Sequence, residues 1–344
     1  MKSLAWQLVF VGLDYHQSGV QVCVMDGAGR VLCNKKVANS WGEIGTLVSR
    51  FGGRVQAGIE ACGGAANLAR ELTERAGWSI SLAHPGYVAR MKQNPDKTDY
   101  SDARMLADLV RVGYLPKVWL APEAIKELRR LVRYRQQLAD ARRSVKLRIR
   151  GLLRDERLLL SREEAGNAWT KPWLKLLRDY PKLQDISRWV MNCLLNDLER
   201  LVTNLRVAEA RLAEVVANDV VVTRLLQQPG IGLITAATLR AEIAQFERFR
   251  TGKQLARFCG LSPRNVSSGT KQADAGLIQA GNSGLRTVLI EAAHRLVRLD
   301  DRWAALAARL GTKGKPRSVI VAAVANRWVR WLFHQMQPEL STAA

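Results

Sequence analysis

Along the first 120 residues, short apolar blocks alternate with turn residues. Residues 8–13 form an apolar run that closes on Asp14 and reads as a first strand. Residues 20–26 and 30–37 flank Asp26-Gly-Ala-Gly29 and read as two more strands joined by a hairpin. A short helix over 41–51, a strand over 54–60 ending on Glu60, a helix after Gly63-Gly64 and a strand over 78–83 follow. Ala103, Met105, Leu106, Leu109 and Val110 then recur at helical spacing, directly after Asn94-Pro-Asp-Lys-Thr-Asp-Tyr-Ser-Asp-Ala103. Three hairpin-linked strands, then alternating helix and strand, is the order of a ribonuclease H-like α/β domain, expected over residues 1–122.

From residue 123 the pattern turns helical. Between Lys126 and Arg150 there are ten basic and two acidic residues with no Gly or Pro, and Leu131, Leu138, Val145 and Leu152 recur every seventh position. This predicts a long basic helix with one apolar seam. A looser segment, 161–181, carries Trp169 and Trp173. Leu194, Leu198, Leu201, Leu205, Ala208, Leu212 and Val215 then step by four and three, a second seam. The two predict a coiled-coil connector over 123–218; the pattern leaves open whether the second seam closes on the first helix or on another subunit.

Residues 219–340 read as a mostly α-helical third domain. Pro229-Gly-Ile-Gly232, after Leu225-Leu226 and before a helical run over 233–243, has the form of a helix-hairpin-helix, whose glycine turn aims N–H groups at a phosphate. Residues 258–269 form an irregular, hydroxyl-bearing loop. Gly281-Asn-Ser-Gly284 opens a helix over 285–299, and a basic turn with Lys313, Lys315 and Arg317 precedes a last helix over 318–335.

Charge sharpens this picture. The 344-residue chain has a formal net charge of +22, which points to a polyanionic partner. Residues 1–122 carry 14 Lys and Arg against 10 Asp and Glu, leaving 39 against 21 beyond, so the helical part is expected to grip that partner. The phosphate contacts expected from these patterns are Arg129, Arg130, Arg133, Arg142, Arg143 and Lys146 on the basic helix, Gly230 and Gly232 in the glycine turn, Arg264 in the loop, and Lys313, Lys315 and Arg317. Five scattered cysteines and four scattered histidines suggest neither a disulfide framework nor a zinc site, and buried free thiols are the default. No apolar run approaches the ~20 residues of a membrane span, and a cytoplasmic, nucleoid-associated protein is expected.

The candidate chemistry lies in four acids. Asp99 and Asp102 are three apart in the opening turn of a helix, so both project from one face. Asp14 and Glu60 each close a strand, where open α/β sheets collect ligands. Singly, each has an ordinary explanation: a cap or dipole partner for the helical pair, a turn residue for the strand pair. Jointly, four carboxylates at one sheet edge repel strongly unless a hard divalent cation such as Mg²⁺ sits among them.

Val11-Gly-Leu-Asp14, Glu60, Lys97-Thr-Asp-Tyr-Ser-Asp-Ala103, Pro229-Gly-Ile-Gly232, Gly260-Leu-Ser-Pro263 with Ser268-Gly269, and Gly281-Asn282 together resemble the IS one-ten class of insertion-sequence transposases, relatives of the Piv DNA invertases. The resemblance runs over nearly the whole chain. It implies a RuvC-like domain with a DEDD metal site matched by Asp14, Glu60, Asp99 and Asp102, holding two Mg²⁺ ions for which Mn²⁺ could substitute. It also implies a helical connector and a C-terminal domain bearing a nucleophilic serine, matched by Ser268 with Ser267 as the fallback. DNA, a structured guide RNA encoded by the element, and a homo-oligomer (a dimer, or a tetramer on DNA) with the site shared between subunits are the implied partners. Where relatives often carry Lys before Gly-Asn, this chain has Gln279-Ala280.

Other classes fit less well. A RuvC-like nuclease activating water needs the same acids and no serine. A tyrosine recombinase is disfavoured because the last tyrosine is Tyr180, leaving no nucleophile in the C-terminal half. An actin-like ATPase needs a second copy of its fold where this chain is helical, and an architectural binder leaves the four acids unexplained.

Overall fold

The computed structural model describes residues 8–91, 98–158, 160–265, 274–278 and 280–337. It divides into two compact units, Met1–Ala121 and Pro122–Ala344.

The N-terminal unit is a six-stranded mixed sheet: β1 (Leu8–His16), β2 (Gly19–Met25), β3 (Val31–Val37), β4 (Arg54–Glu60), β5 (Ser79–Ala83) and β6 (Lys117–Val118), in the order β3-β2-β1-β4-β5-β6. β1, β4 and β5 are parallel; β2, β3 and β6 pair antiparallel. Helices α1 (Trp41–Ser49), α2 (Ala65–Ala76), α3 (Pro85–Met91) and α4 (Asp99–Arg111) complete it. The hairpin and the alternation follow the sequence pattern, while α3 and the two-residue β6 carry too little periodicity to be read from it. β1 differs in length: it continues past Asp14 to His16 because Asp14, Tyr15 and His16 still pair with Gln21, Val20 and Gly19 of β2.

Period-two alternation divides the sheet's faces. Val9, Val11 and Leu13 with Val20, Val22 and Val24 pack under Ile44 and Val48 of α1 and Leu68 and Leu72 of α2. The opposite face presents Phe10, Cys23 and Met25 to Ala103 and Ala107 of α4.

The second unit is almost wholly helical: α5 (Glu123–Asp155), α6 (Arg162–Ala165), α7 (Lys171–Arg178), α8 (Asp185–Val216), α9 (Val220–Leu226), α10 (Leu233–Ile243), α11 (Gly252–Phe258), the hairpin β7 (Pro263–Asn265) and β8 (Asp274–Leu277), α12 (Ser283–Leu299), α13 (Asp301–Gly311) and α14 (Arg317–Gln335). α5 packs on α8 within one chain, which answers the question the pattern left open. The buried positions are Leu138, Val145, Ile149 and Leu153 against Met191, Leu195, Leu198, Leu201, Leu205 and Ala208; Leu194 packs at the edge of this core, half-buried beside the buried Leu195, and Val215 faces solvent. Trp173 and Leu177 of α7 close the same core, while Trp169 carries Lys146 and Arg150 over its ring at 4.5 and 5.3 Å. A second core gathers α9–α14 around the fully buried Trp328.

Among the described residues no helix is long and apolar enough to cross a membrane. The five cysteines are free; Cys23 and Cys259 are buried, whereas Cys62 and Cys193 are exposed against the expectation of burial, because neither is among the residues of a core.

Candidate active site

Two glycines bring α4 onto the sheet. Gly12 of β1 and Gly58 of β4 are register partners, and a Cβ built on Gly12 would lie 2.0 Å from the Ala103 carbonyl oxygen. One on Gly58 would lie 2.6 Å from Val110 Cγ2. Two residues further along each strand, on the same face, stand Asp14 and Glu60. They follow the paired positions Leu13 and Ile59, so they occupy neighbouring places on adjacent parallel strands, roughly 4.8 Å apart in backbone.

α4 supplies the other two acids. Its start is set by a capping box: Thr98 Oγ1 accepts from the Ser101 N–H at 3.1 Å, and Ser101 Oγ accepts from the Thr98 N–H at 3.3 Å. Asp99 and Asp102 therefore fall in the first turn, with Asp102 buried.

The edge of the sheet contributes groups that the sequence reading missed. His16 Nε2 lies 3.1 Å from Asp14 Oδ2 and 3.2 Å from Asp99 Oδ1, and Lys36 Nζ donates to Asp99 Oδ2 at 3.2 Å. Asn34 Nδ2 donates to the Tyr100 carbonyl at 3.0 Å and holds the helix start; its Oδ1 accepts from Gln21 Nε2 at 2.7 Å. Register explains the grouping, since Asp14 pairs with Gln21 and Gln21 with Lys36, one row across three strands. The signal was present as period-two alternation, but it needs the hairpin register to be read.

Asp14, His16 and Asp99 each offer a ligand atom within 4.8 Å of the others; Glu60 and Asp102 lie outside that set. The Asp102 charge still reaches it. Burial pushes the Asp14 carboxyl above its ordinary value, the His16 hydrogen bond and charge oppose this, and the Asp99 and Asp102 charges add to the rise. Glu60 and Asp14 act together on the nearby Cys62 thiol, which is raised first by partial desolvation of its sulfur although the residue as a whole is exposed. The Lys36 hydrogen bond holds Asp99 below the ordinary carboxylate value, with His16 assisting. The carboxylate oxygens of Asp14 and Asp99 are donors that suit a hard divalent cation, which would take the place beside them that the His16 ring and the Lys36 ammonium occupy here.

In the C-terminal unit, the stretch holding Ser267 and Ser268, as well as Gln279, lies outside the described residues; its anchors do not. β7 and β8 pair through Pro263 with Leu277 and Asn265 with Asp274. Gly260 and Gly281 meet backbone to backbone, a Cβ on Gly281 falling 2.2 Å from the Gly260 Cα. Asn282 caps α12 by accepting from the Leu285 N–H at 3.1 Å and donates to Glu242 Oε2 at 3.0 Å. Arg286 donates to the Ile278 carbonyl at 2.8 Å.

Glu242 is the buried hub beneath these anchors. Arg133 meets its two oxygens at 2.9 and 3.0 Å, and Arg129 donates to the Ala241 carbonyl at 2.6 Å. Removing a buried carboxylate leaves Arg133 and Asn282 without their acceptor and Arg129 without its nearby counter-charge, so Glu242→Ala is expected to cost about 2 kcal/mol. Urea unfolding monitored by circular dichroism checks this; a loss below ~0.5 kcal/mol would show that the hub is not structural.

The remaining predicted phosphate contacts have mixed settings. Arg130 pairs with Glu127, Lys146 lies over Trp169, and the Gly230 carbonyl accepts from Arg295 Nε at 2.8 Å. Gly230 takes a left-handed φ of 72° between α9 and α10, and Gly232 is the N-cap of α10. Arg142 is half-buried and Arg143 exposed on α5; Arg264, Lys313, Lys315 and Arg317 are exposed.

Comparison with known proteins places the chain among transposases. A DEDD-type model of the IS110 group, described as a transposase, matches residues 11–156, and a second, described as transposase IS116/IS110/IS902 family, matches residues 222–308. The chain belongs to the IS110 family of insertion-sequence transposases. It is 28% identical to the transposase for insertion sequence element IS1111A of Coxiella burnetii, over 93% of this chain and 88% of that protein. It is also 28% identical to a probable family 20 transposase of Pseudomonas aeruginosa, over 96% of this chain and 97% of the relative. The transposase for IS1328 of Yersinia enterocolitica is 25% identical, over 79% and 80% respectively.

Proposed function

We propose that this protein cuts and rejoins DNA at the ends of an insertion sequence, using a RuvC-like metal site and a serine nucleophile. The observation that carries the reading is the approach of Asp14 and Asp99 at the head of α4, in a chain matched by two transposase models. In this reading Asp14, Glu60, Asp99 and Asp102 hold two Mg²⁺ ions, with Mn²⁺ as a substitute. Bound there, the ions polarise a phosphoryl oxygen and steady the attacking and leaving oxygens of an in-line displacement.

The chain's own residues do the rest. Ser268 Oγ loses its proton and attacks the scissile phosphorus; the Oγ–P bond forms as the P–O bond to the departing strand breaks, and that strand's oxygen takes up a proton. The phosphoserine link keeps the bond energy, and rejoining reverses the step with another DNA hydroxyl, without an external energy source. The α9–α10 turn serves as a helix-hairpin-helix phosphate contact, and the arginines of α5 together with the basic turn before α14 carry more of the backbone. A structured RNA from the element pairs with the DNA, and the acid site and the serine come from different copies of the chain.

The test mixes the protein and any co-purifying RNA with a labelled element end and Mg²⁺, then looks for a DNA adduct that survives denaturation. Wild type and Ser267→Ala are expected to form it, while Ser268→Ala forms none. An adduct persisting in Ser268→Ala moves the nucleophile elsewhere. Full cleavage without any adduct would instead mean that the acids activate water.

A further inference from the structure

A cluster of unneutralised charge lies away from the residues discussed so far. In the C-terminal unit a cleft of 810 Å³ is rimmed by Arg250, Lys253, Arg302, Arg309, Arg327 and Arg330. All six are exposed, and no carboxylate lines the cleft. Among the described residues none of the six forms an ion pair. Several arginines elsewhere are closely neutralised: Arg133 binds Glu242, Arg135 binds Glu209 and Arg240 binds Asp219. Six cations converging without a counter-charge repel one another within a Debye length of ~8 Å, which an anion running along the rim relieves.

The floor narrows the choice of anion. It is made of Trp303, Leu306, Trp331 and Phe333, and apolar surface dominates it. Trp303, Leu306 and Phe333 are buried, whereas Trp331 remains half-exposed. Arg302 lies over both indoles, 5.0 Å from the Trp303 ring and 5.5 Å from the Trp331 ring. A guanidinium already held on two rings has surrendered much of its rotamer freedom and stacks a further flat group at low entropic cost. The walls are fixed as well, because Gly252 abuts α14 so closely that a Cβ would sit 2.8 Å from the Arg330 carbonyl oxygen.

We propose that this cleft binds a single-stranded nucleic-acid segment, its phosphates on the arginine rim and an unpaired base against Arg302 and Trp331. A lone phosphate would gain nothing from the apolar floor, and a duplex keeps its bases stacked away from it. The cleft's volume lies within the ~300–1,000 Å³ usual for ligand sites, large enough for a base with its sugar. The inference rests on the nucleic-acid partner proposed above.

The test uses the full chain and fluorescence anisotropy with labelled oligo-dT, oligo-U RNA and a blunt duplex, each about 20 nucleotides long, longer than a single-strand groove spans. The triple substitution Arg309→Gln, Arg327→Gln and Arg330→Gln changes exposed positions only, and Trp331→Ala tests the floor. Both are expected to weaken single-strand binding about tenfold or more, with the triple variant's log–log salt slope lower by about two. Duplex binding should change less than about threefold, and the strand type that loses more identifies the sugar recognised. Unchanged single-strand affinity in the triple variant overturns the proposal while leaving the transposase reading intact, as does an equal loss on duplex. Wild type binding none of the three probes overturns both.

Discussion

Asp14→Asn is expected to abolish metal-dependent DNA cleavage while leaving thermal unfolding unchanged or shifted upward. Metal activation of a phosphoryl group contributes several kcal/mol, and losing ~4 kcal/mol of it corresponds to about 10³-fold in rate. Asn keeps an oxygen for the His16 contact at 3.1 Å but carries no charge for a cation. The stability prediction follows from the raised carboxyl. Burial lifts Asp14 above its unfolded value, so as pH rises the unfolded chain ionises first and the fold loses stability through that window. At neutral pH the ionised side chain is therefore a cost that Asn removes. Gel assays of end cleavage and differential scanning calorimetry measure the two effects. Activity within about tenfold of wild type would take Asp14 out of the metal site.

Gly12→Val is expected to cost the N-terminal unit more than about 3 kcal/mol and to abolish cleavage with it. The new Cβ would meet two backbone atoms of α4, the Ala103 oxygen at 2.0 Å and the Ala107 nitrogen at 2.4 Å. A side chain can swing aside, but a hydrogen-bonded helix moves as a body. Retreat of α4 would carry Asp99 and Asp102 away from Asp14 and open the contact between Phe10, Ala103 and Ala107. Gly58→Ala meets the Val110 side chain, which can adjust, and should cost less. Urea unfolding of the two variants gives the comparison. A Gly12→Val protein within ~1 kcal/mol of wild type would mean that α4 does not rest on this glycine.

The two glycines also mark how far the sequence could be read. The apolar run from Leu8 to Leu13 announces a strand, and Gly12 within it signals a close approach by something, but not by what. That Gly12 and Gly58 are register partners under one helix is a long-range fact, because β1 and β4 are joined in parallel through the β2–β3 hairpin and α1. His16 and Lys36 went unnoticed for the same reason. They approach Asp99 across 83 and 63 positions, and only the sheet's register makes them neighbours. Likewise the long basic helix was evident from its composition, yet Arg133 on it is bound to Glu242, 109 positions away. The cleft arginines on α13 and α14 had no such conspicuous run to reveal them.

Local rules thus determined the longer strands and helices of this protein, the start of α4 at its Thr98–Ser101 box, the acids in its first turn and the basic excess of its second half. Side-chain periodicity and capping act over a few residues, so they survive in the linear order. Only the tertiary structure decided that α8 closes on α5 of the same chain, that His16 and Lys36 flank Asp99, and which arginines keep their charge unneutralised. Electrostatic pairing depends on separation in space, and in this chain the groups that settle it come from strands and helices far apart in sequence.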